Sequence, residues 1–231
     1  MLATQKSETP TMVRRTKEEA LQTRSQLLDA AEQLFHDQGV SRTSLQEIAA
    51  AAGTTRGAIY WHFKDKADLF NAMMERVKLP LEETLQALGK NPAADPVTEI
   101  RECVRSALQL VTDDLQVRRV FEIATHQVEY VDELRAVKER HLSERNDCLA
   151  KIESGIVQAA SRHRLELDLP SIVAVHGLHA LVDGLIQNWL LDVEAFDLVD
   201  CGVRTVDVYL RGLGFGHRQK SPPVAVEALA E

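Results

Sequence analysis

Cysteine and long apolar runs are scarce in this 231-residue chain, and both absences narrow the possible classes of protein. The three cysteines, Cys103, Cys148 and Cys201, are too far apart for a disulfide framework or a zinc ribbon. No run of about 18 apolar residues occurs, and the N-terminus lacks the apolar core of a signal peptide. The sequence therefore predicts a soluble, cytoplasmic protein.

Strand-like alternation and hairpin dipeptides are also missing, whereas helical spacing of apolar residues recurs along the chain. We expect an all-α fold of about nine helices, with a small N-terminal three-helix domain and a larger helical domain. The expected domains are a disordered arm at 1–15, a first domain at 16–74, a second at 75–215 and a disordered tail at 216–231. The predicted helices span about 17–38, 43–52, 55–62, 66–88, 96–113, 115–128, 131–163, 170–191 and 197–213.

An excess of cations is missing overall, because the net charge is −8 and the pI is about 5.5. Residues 1–80 hold 11 basic and 10 acidic side chains, whereas residues 81–231 hold 16 and 25. This balance argues against indiscriminate nucleic-acid binding, which needs clustered cations. Any nucleic-acid contact should be local and salt-sensitive.

Residues 43–69 contain two short helical patterns separated by a glycine. Thr43 and Gln46 have the spacing of a capping box, and Gly53 supplies the permissive backbone that a sharp turn needs. Thr54 or Thr55 can cap the second helix. The pattern is that of a helix-turn-helix whose second helix enters a DNA groove.

The outward positions of that second helix are rich in hydrogen-bond donors. Arg56 suits a guanine edge or a phosphate, Gly57 permits close backbone approach, and Tyr60 suits a phosphate. Asp65 caps the next helix. The predicted DNA-binding residues are Arg14, Arg15, Arg42, Thr43, Thr54, Thr55, Arg56, Gly57, Tyr60, Trp61, His62, Lys64 and Lys66.

The run TRGAIYWHFKDK at 55–66 resembles the recognition helix of the TetR family of bacterial repressors, and 17–74 resembles the family's DNA-binding domain. MVRRTKEEA at 12–20, FEI at 121–123 and VDGLIQNWLL at 182–191 are similar to the AcrR/TtgR-like subgroup, which represses multidrug efflux pumps. The resemblance implies a homodimer that binds a pseudopalindromic operator and is released by a small apolar or aromatic effector. It implies neither a cofactor nor an enzymatic activity.

The second domain carries the expected effector and dimer contacts. By the resemblance, one set of helix faces lines an effector pocket: Val104, Leu108, Phe121, Thr125, His126, Glu129, His176, His179 and Asp183. The apolar faces of the last two helices exceed what a lone helix buries, which favours a four-helix dimer seam. The predicted seam residues are Val175, Val182, Ile186, Trp189, Val203, Val206 and Leu210.

Several alternatives stay open on sequence grounds. Ordinary core packing explains each apolar pocket or seam position equally well. His176, His179 and Asp183 share one helical face and are metal-ligand types, although satisfied polar groups on a pocket or seam are the favoured interpretation. A DNA-binding regulator without an effector, a redox sensor using Cys148 beside Arg145 and Lys151, and an all-α enzyme are the competing functions.

Overall fold

The computed structural model describes residues 17–86, 91, 93–129 and 131–216. Within these ranges the chain forms nine α-helices, one 3₁₀ helix and no strand, so the predicted all-α fold is confirmed. The predicted arm at 1–15 and the tail beyond Gly216 lie outside the described residues. The helices are α1 Lys17–Gln38, α2 Leu45–Ala51, α3 Arg56–His62, α4 Lys66–Gln86, α5 Pro96–Asp113, α6 Leu115–His126, the 3₁₀ helix Asp132–Leu134, α7 Arg135–His163, α8 Ser171–Leu191 and α9 Leu198–Gly212.

Local capping signals set several of these bounds. Asp95 accepts from the Thr98 N–H at 3.1 Å and Pro96 opens α5, as the sequence predicts. Gly39 follows α1 with a φ of +86°, the left-handed conformation that favours glycine after a helix. Helix α6 ends at His126, two residues earlier than predicted, because the Gln127 carbonyl turns aside to accept from the Val40 N–H at 3.1 Å.

Two hydrophobic clusters fill the interior, and they join different helices. The near cluster runs without a break from α1–α4 into α5, α6 and α8, and contains Leu27, Phe35, Phe70, Leu108, Ile123 and Trp189 among others. The far cluster joins α5, α7, α8 and α9 around Ile100, Ile156, Val175, Leu178, Val206 and Leu210. Only Val104 and Val182, both half-buried, pack against both clusters, so these two side chains mark a seam between them.

Helices α1–α3, hereafter the head, are fixed to α5–α9, the body, by polar contacts as well as by the near cluster. The buried Glu32 carboxylate of α1 accepts from Gln116 Nε2 at 3.2 Å and pairs with Arg119 Nη1 at 3.4 Å, both on α6. The backbone bond between Val40 and Gln127 lies at the other end of the same contact. The head therefore rests on α6 along most of that helix.

Helix α4 is held on both sides. Arg76 Nη1 pairs with Asp29 of α1 at 2.6 Å, and Arg76 Nη2 donates to the Ser25 hydroxyl at 2.8 Å. On the other side Arg140 of α7 pairs with Glu75, and Lys78 Nζ lies 3.6 Å from the Glu144 carboxylate. A displacement of α7 is thus transmitted to the head through consecutive residues of α4.

Candidate nucleic-acid interface and effector region

Ser44, rather than Thr43, caps α2. The Ser44 hydroxyl accepts from the Glu47 N–H, and the Glu47 carboxylate accepts from the Ser44 N–H at 2.8 Å, which completes a capping box. The hydrogen bonds from Ser44 lower the pKa of Glu47. The predicted pair, Thr43 and Gln46, was wrong by one residue because two hydroxyl residues are adjacent and only one has the extended backbone of a cap.

Thr43 and Lys66 do not face solvent, so both predictions of DNA contact were wrong. Thr43 is almost fully buried, and its hydroxyl donates to the Gly39 carbonyl at 2.8 Å. Lys66 is only 6% exposed, and its ammonium donates to the carbonyls of Ser41 at 3.2 Å and Thr43 at 3.0 Å. Glu133 of the body lies 3.5 Å from the same ammonium, so Lys66 fastens the turn before α2 and has no free donor aimed at a phosphate.

Helix α3 presents the predicted donor-rich face. Thr55 is its N-cap, with its hydroxyl accepting from the Ala58 N–H at 3.2 Å, and only Ile59 of the helix is buried. Trp61 is 73% exposed, an unusual exposure for so large an apolar side chain. Thr54 differs from its neighbour, because its hydroxyl is buried and has no hydrogen-bond partner among the described residues.

Most of the predicted DNA-binding set lies on this exposed surface. Arg56 is exposed, and its guanidinium carbon lies 5.7 Å from the centroid of the Tyr60 ring. The Trp61 ring meets the half-buried His62 ring edge-on at 4.6 Å. Arg14 and Arg15 lie outside the described residues, whereas Arg42, Thr55, Arg56, Gly57, Tyr60, Trp61 and Lys64 are all exposed.

The predicted effector residues are not gathered in one cavity. Leu108 is fully buried in the near cluster and fits so closely against α9 that a Cβ added at Gly202 would lie 2.2 Å from it. Val104 and Phe121 pack half-buried against that cluster. His126, Glu129, His176 and Asp183 are exposed, which contradicts their placement as pocket walls in this structure, while Thr125 and His179 are half-buried.

The sequence missed a cleft where α4, α6 and α7 meet. It encloses about 300 Å³, part of it open to solvent, between an apolar floor that includes Phe70 and Met74 and a polar rim that includes Asn71 and His141. Its nine lining residues are Phe70, Asn71, Met74, Ala124, Val128, Val137, Arg140, His141 and Glu144. None of them was predicted, because the crossing of three distant helices leaves no periodic signal in a single sequence.

The candidate titratable groups of the body are shaped mainly by burial. Burial lowers the pKa of His179, with Asp183 opposing the shift. In the described part of the chain no group of three or more His, Cys, Asp or Glu side chains is placed to hold a metal ion. Burial raises the pKa of Cys103 to about 12 and also raises that of Cys148, so the expectation that nearby cations activate Cys148 was wrong.

Most of the predicted dimer residues are packed inside their own chain. Val175 and Leu210 are fully buried in the far cluster with Val206, and Ile186 and Trp189 are buried in the near cluster. Val182 and Val203 are half-buried. Their assignment to a dimer surface was wrong for the five buried residues, because an apolar stripe indicates burial and does not say against what.

Other positions on α8 and α9 carry the exposed apolar side chains. Val173 and Leu191 of α8 are separated by five helical turns and so share a face, which also contains the exposed Ala180. Val208 of α9 is similarly exposed. This outer surface, Val173, Ala180, Leu191 and Val208, is hereafter the α8–α9 face.

Comparison with known proteins decides the family. Residues 27–73 match the model described as bacterial regulatory proteins, tetR family, and residues 95–215 match that of the MAATS-type transcriptional repressor, C-terminal region. The chain belongs to the TetR family. It is a helix-turn-helix transcriptional regulator and not an enzyme, and no described helix is long and apolar enough to cross a membrane.

Individual relatives extend the likeness across both regions. The regulator TtgR of Pseudomonas putida is 37% identical over 199 residues, which is 86% of this chain and 95% of TtgR. NalD, the secondary repressor of the MexAB-OprM multidrug efflux pump in Pseudomonas aeruginosa, is 35% identical with a TM-score of 0.74 and covers 85% of this chain and 98% of its own. SmeT of Stenotrophomonas maltophilia in complex with triclosan is 31% identical with a TM-score of 0.73, covering 91% and 100%.

Proposed function

We propose that this chain is a ligand-responsive repressor of a multidrug efflux pump operon, acting in the cytoplasm as a homodimer. The exposed donor surface of α3 carries the DNA-binding half of the proposal. Efflux control follows from the relatives, because NalD and SmeT are both described as repressors of such pumps and match nearly their whole length to this chain. The SmeT complex with triclosan supports a small aromatic effector.

The proposed effector space is the seam between the two hydrophobic clusters. Separately packed cores meet only at Val104 and Val182, so parting them there breaks fewer contacts than opening either core. An apolar effector that inserts between α5 and α8 would shift the head through α6 and α4. It can do so only by the difference between its affinities for the two arrangements.

The proposed homodimer uses the α8–α9 face. Two copies related by a twofold axis would bury Val173, Leu191 and Val208 and place two α3 helices in successive major grooves, about 34 to 36 Å apart. Replacing Leu191 with Glu brings two carboxylates together at that axis. We expect light scattering to give a monomer and operator affinity to collapse, whereas Val157→Glu, an equally exposed apolar position on α7, leaves both unchanged.

Operator binding tests the central proposal. Purified protein is titrated onto the DNA upstream of its own gene at several salt concentrations, and triclosan and other apolar aromatics are then added. Release by a compound at fixed salt supports ligand-gated repression. Tight binding that no compound relieves favours the regulator without an effector, and absence of sequence-specific binding contradicts the proposal altogether.

Arg56 provides the sharpest point mutation in the head. Arg56→Ala should weaken specific binding by about 1–3 kcal/mol if the guanidinium pairs with a guanine edge. The matched control is Arg105→Ala, an exposed arginine of α5 already paired with Glu102. Equal operator affinities of the two variants would contradict the assignment of Arg56.

A further inference from the structure

Arg24 lies on the second turn of α1, outside the helix-turn-helix, yet it touches the end of the recognition helix. Its guanidinium carbon is 5.2 Å from the centroid of the Phe63 ring. Phe63 is the C-cap of α3 and is almost fully buried, so the ring is a fixed platform. Arg24 is half-buried and lies beside the point where the chain leaves α3 for the exposed Lys64.

The charge of Arg24 is not neutralised within the described ranges of the chain. The two other arginines that contact α1 are both paired with acids, Arg76 with Asp29 and Arg119 with Glu32. Arg24 makes neither an ion pair nor a hydrogen bond to any described residue, and its contact is with a ring. This arginine is therefore held in place without its N–H donors being used.

Stacking on a ring prepares a guanidinium for an external anion. The face of the guanidinium is occupied by the ring, which restricts the long side chain, while its N–H groups point outward in the plane. Such a planar fork matches the oxygens of a phosphate. A phosphate contact made by a side chain that is already ordered loses less conformational entropy than one made by a free arginine.

We infer that Arg24 contacts a DNA phosphate and, with Phe63 as its platform, fixes the angle of the head on the duplex. The inference rests on DNA binding by the head and needs neither an effector nor efflux control. A contact from α1 carries no sequence information of its own. It should strengthen binding to the operator and to unrelated DNA alike.

The first experiment compares Arg24→Gln with Arg204→Gln, which removes the same charge from a distant arginine of α9 paired with Asp200. Binding is measured by fluorescence anisotropy to the DNA upstream of the gene and to an unrelated duplex of matched base composition. We expect Arg24→Gln to weaken both by roughly tenfold and to reduce the slope of log K against log salt by about 0.9 per protomer. Unchanged slopes on both duplexes would overturn the inference, and so would an equal effect of Arg204→Gln.

The second experiment identifies the phosphate and does not depend on the stability of the glutamine variant. Single methylphosphonates, which remove one charge each, are placed along the upstream DNA. Wild-type protein should lose affinity at one position per half-site where Arg24→Gln loses none. Arg24→Lys, which keeps the charge, should retain the wild-type salt slope and the sensitivity at that position; loss of either in this variant would refute a phosphate contact.

Circular dichroism and light scattering on each variant separate a local contact from a folding defect. We expect native helicity and an unaltered oligomeric state for Arg24→Gln and Arg24→Lys, because Arg24 has no polar partner in the described chain to leave unsatisfied. If instead the fall in DNA affinity tracks a fall in helicity, Arg24 serves the fold through Phe63 and the inference fails.

Discussion

The near and far clusters differ in what they connect. The near cluster passes from Leu27 of α1 to Trp189 of α8, so the head has no core of its own that is separate from the body. The far cluster is confined to the body and is closed by Tyr209, whose hydroxyl donates to the Ala174 carbonyl at 2.8 Å. The comparison teaches that one half of the body is built as part of the head and the other half as an anchor. A disturbance at the seam therefore has one soft direction, toward the head.

Lys66 offers the largest disturbance of the near side. Lys66→Met should reduce the free energy of unfolding by about 2–4 kcal/mol, because the carbonyls of Ser41 and Thr43 lose their donor in a buried place. Urea unfolding followed by circular dichroism measures the loss.

Lys64→Met is the matched control for Lys66, since Lys64 is exposed and two residues away. It should leave stability within about 0.5 kcal/mol and reduce the salt slope of DNA binding instead. The reverse pattern, with Lys64 important for stability and Lys66 for the salt slope, would restore the phosphate role that the sequence suggested for Lys66.

The seam gives an intermediate effect that distinguishes the two clusters directly. Val182→Ala should make the seam easier to part and lower the effector concentration for half-release from DNA by about fivefold. Val175→Ala removes the same atoms from the interior of the far cluster. It should reduce stability by about 1–2 kcal/mol with no change in effector response. Equal shifts in effector response would show that the seam has no special role.

The smallest effect concerns acid stability at the far end of the body. Burial opposes ionisation of Asp95, but hydrogen bonds from His163 and Thr98 outweigh it and lower the pKa of this carboxyl below its ordinary 3.8. The stabilisation is therefore complete above that ordinary value and is lost as the pH falls through the lower, folded-state pKa.

Asp95→Asn keeps a good N-cap and removes the charge. Its unfolding free energy should fall less steeply than that of the wild type below about pH 4, with a difference at neutral pH of about 1 kcal/mol or less. Thermal unfolding between pH 3 and 7 measures both curves. Parallel curves over this range would contradict a coupled Asp95.

Local signals were enough to predict the elements, whereas long-range packing decided the sites. Asp95 with Pro96 and the glycine after α1 predicted helix ends because each acts within one turn of the chain. The burial of Lys66 depends on carbonyls more than 20 residues away, which no spacing pattern reports. In the same way, the apolar residues of α8 and α9 were predicted to be buried, but whether their own chain or a second copy buries them is decided by the packing of whole helices.

The two tryptophans of the chain stand on opposite sides of the proposed signal. Trp61 is exposed on α3, whereas Trp189 is buried in the near cluster with the Arg118 guanidinium 4.9 Å from its ring centroid. Each is thus an intrinsic fluorophore for a different event. With Phe at position 189 the remaining indole emission should report only on the DNA surface, and with Phe at position 61 only on the interior of the body, so the two ends of the switch can be timed separately in one protein without an added dye.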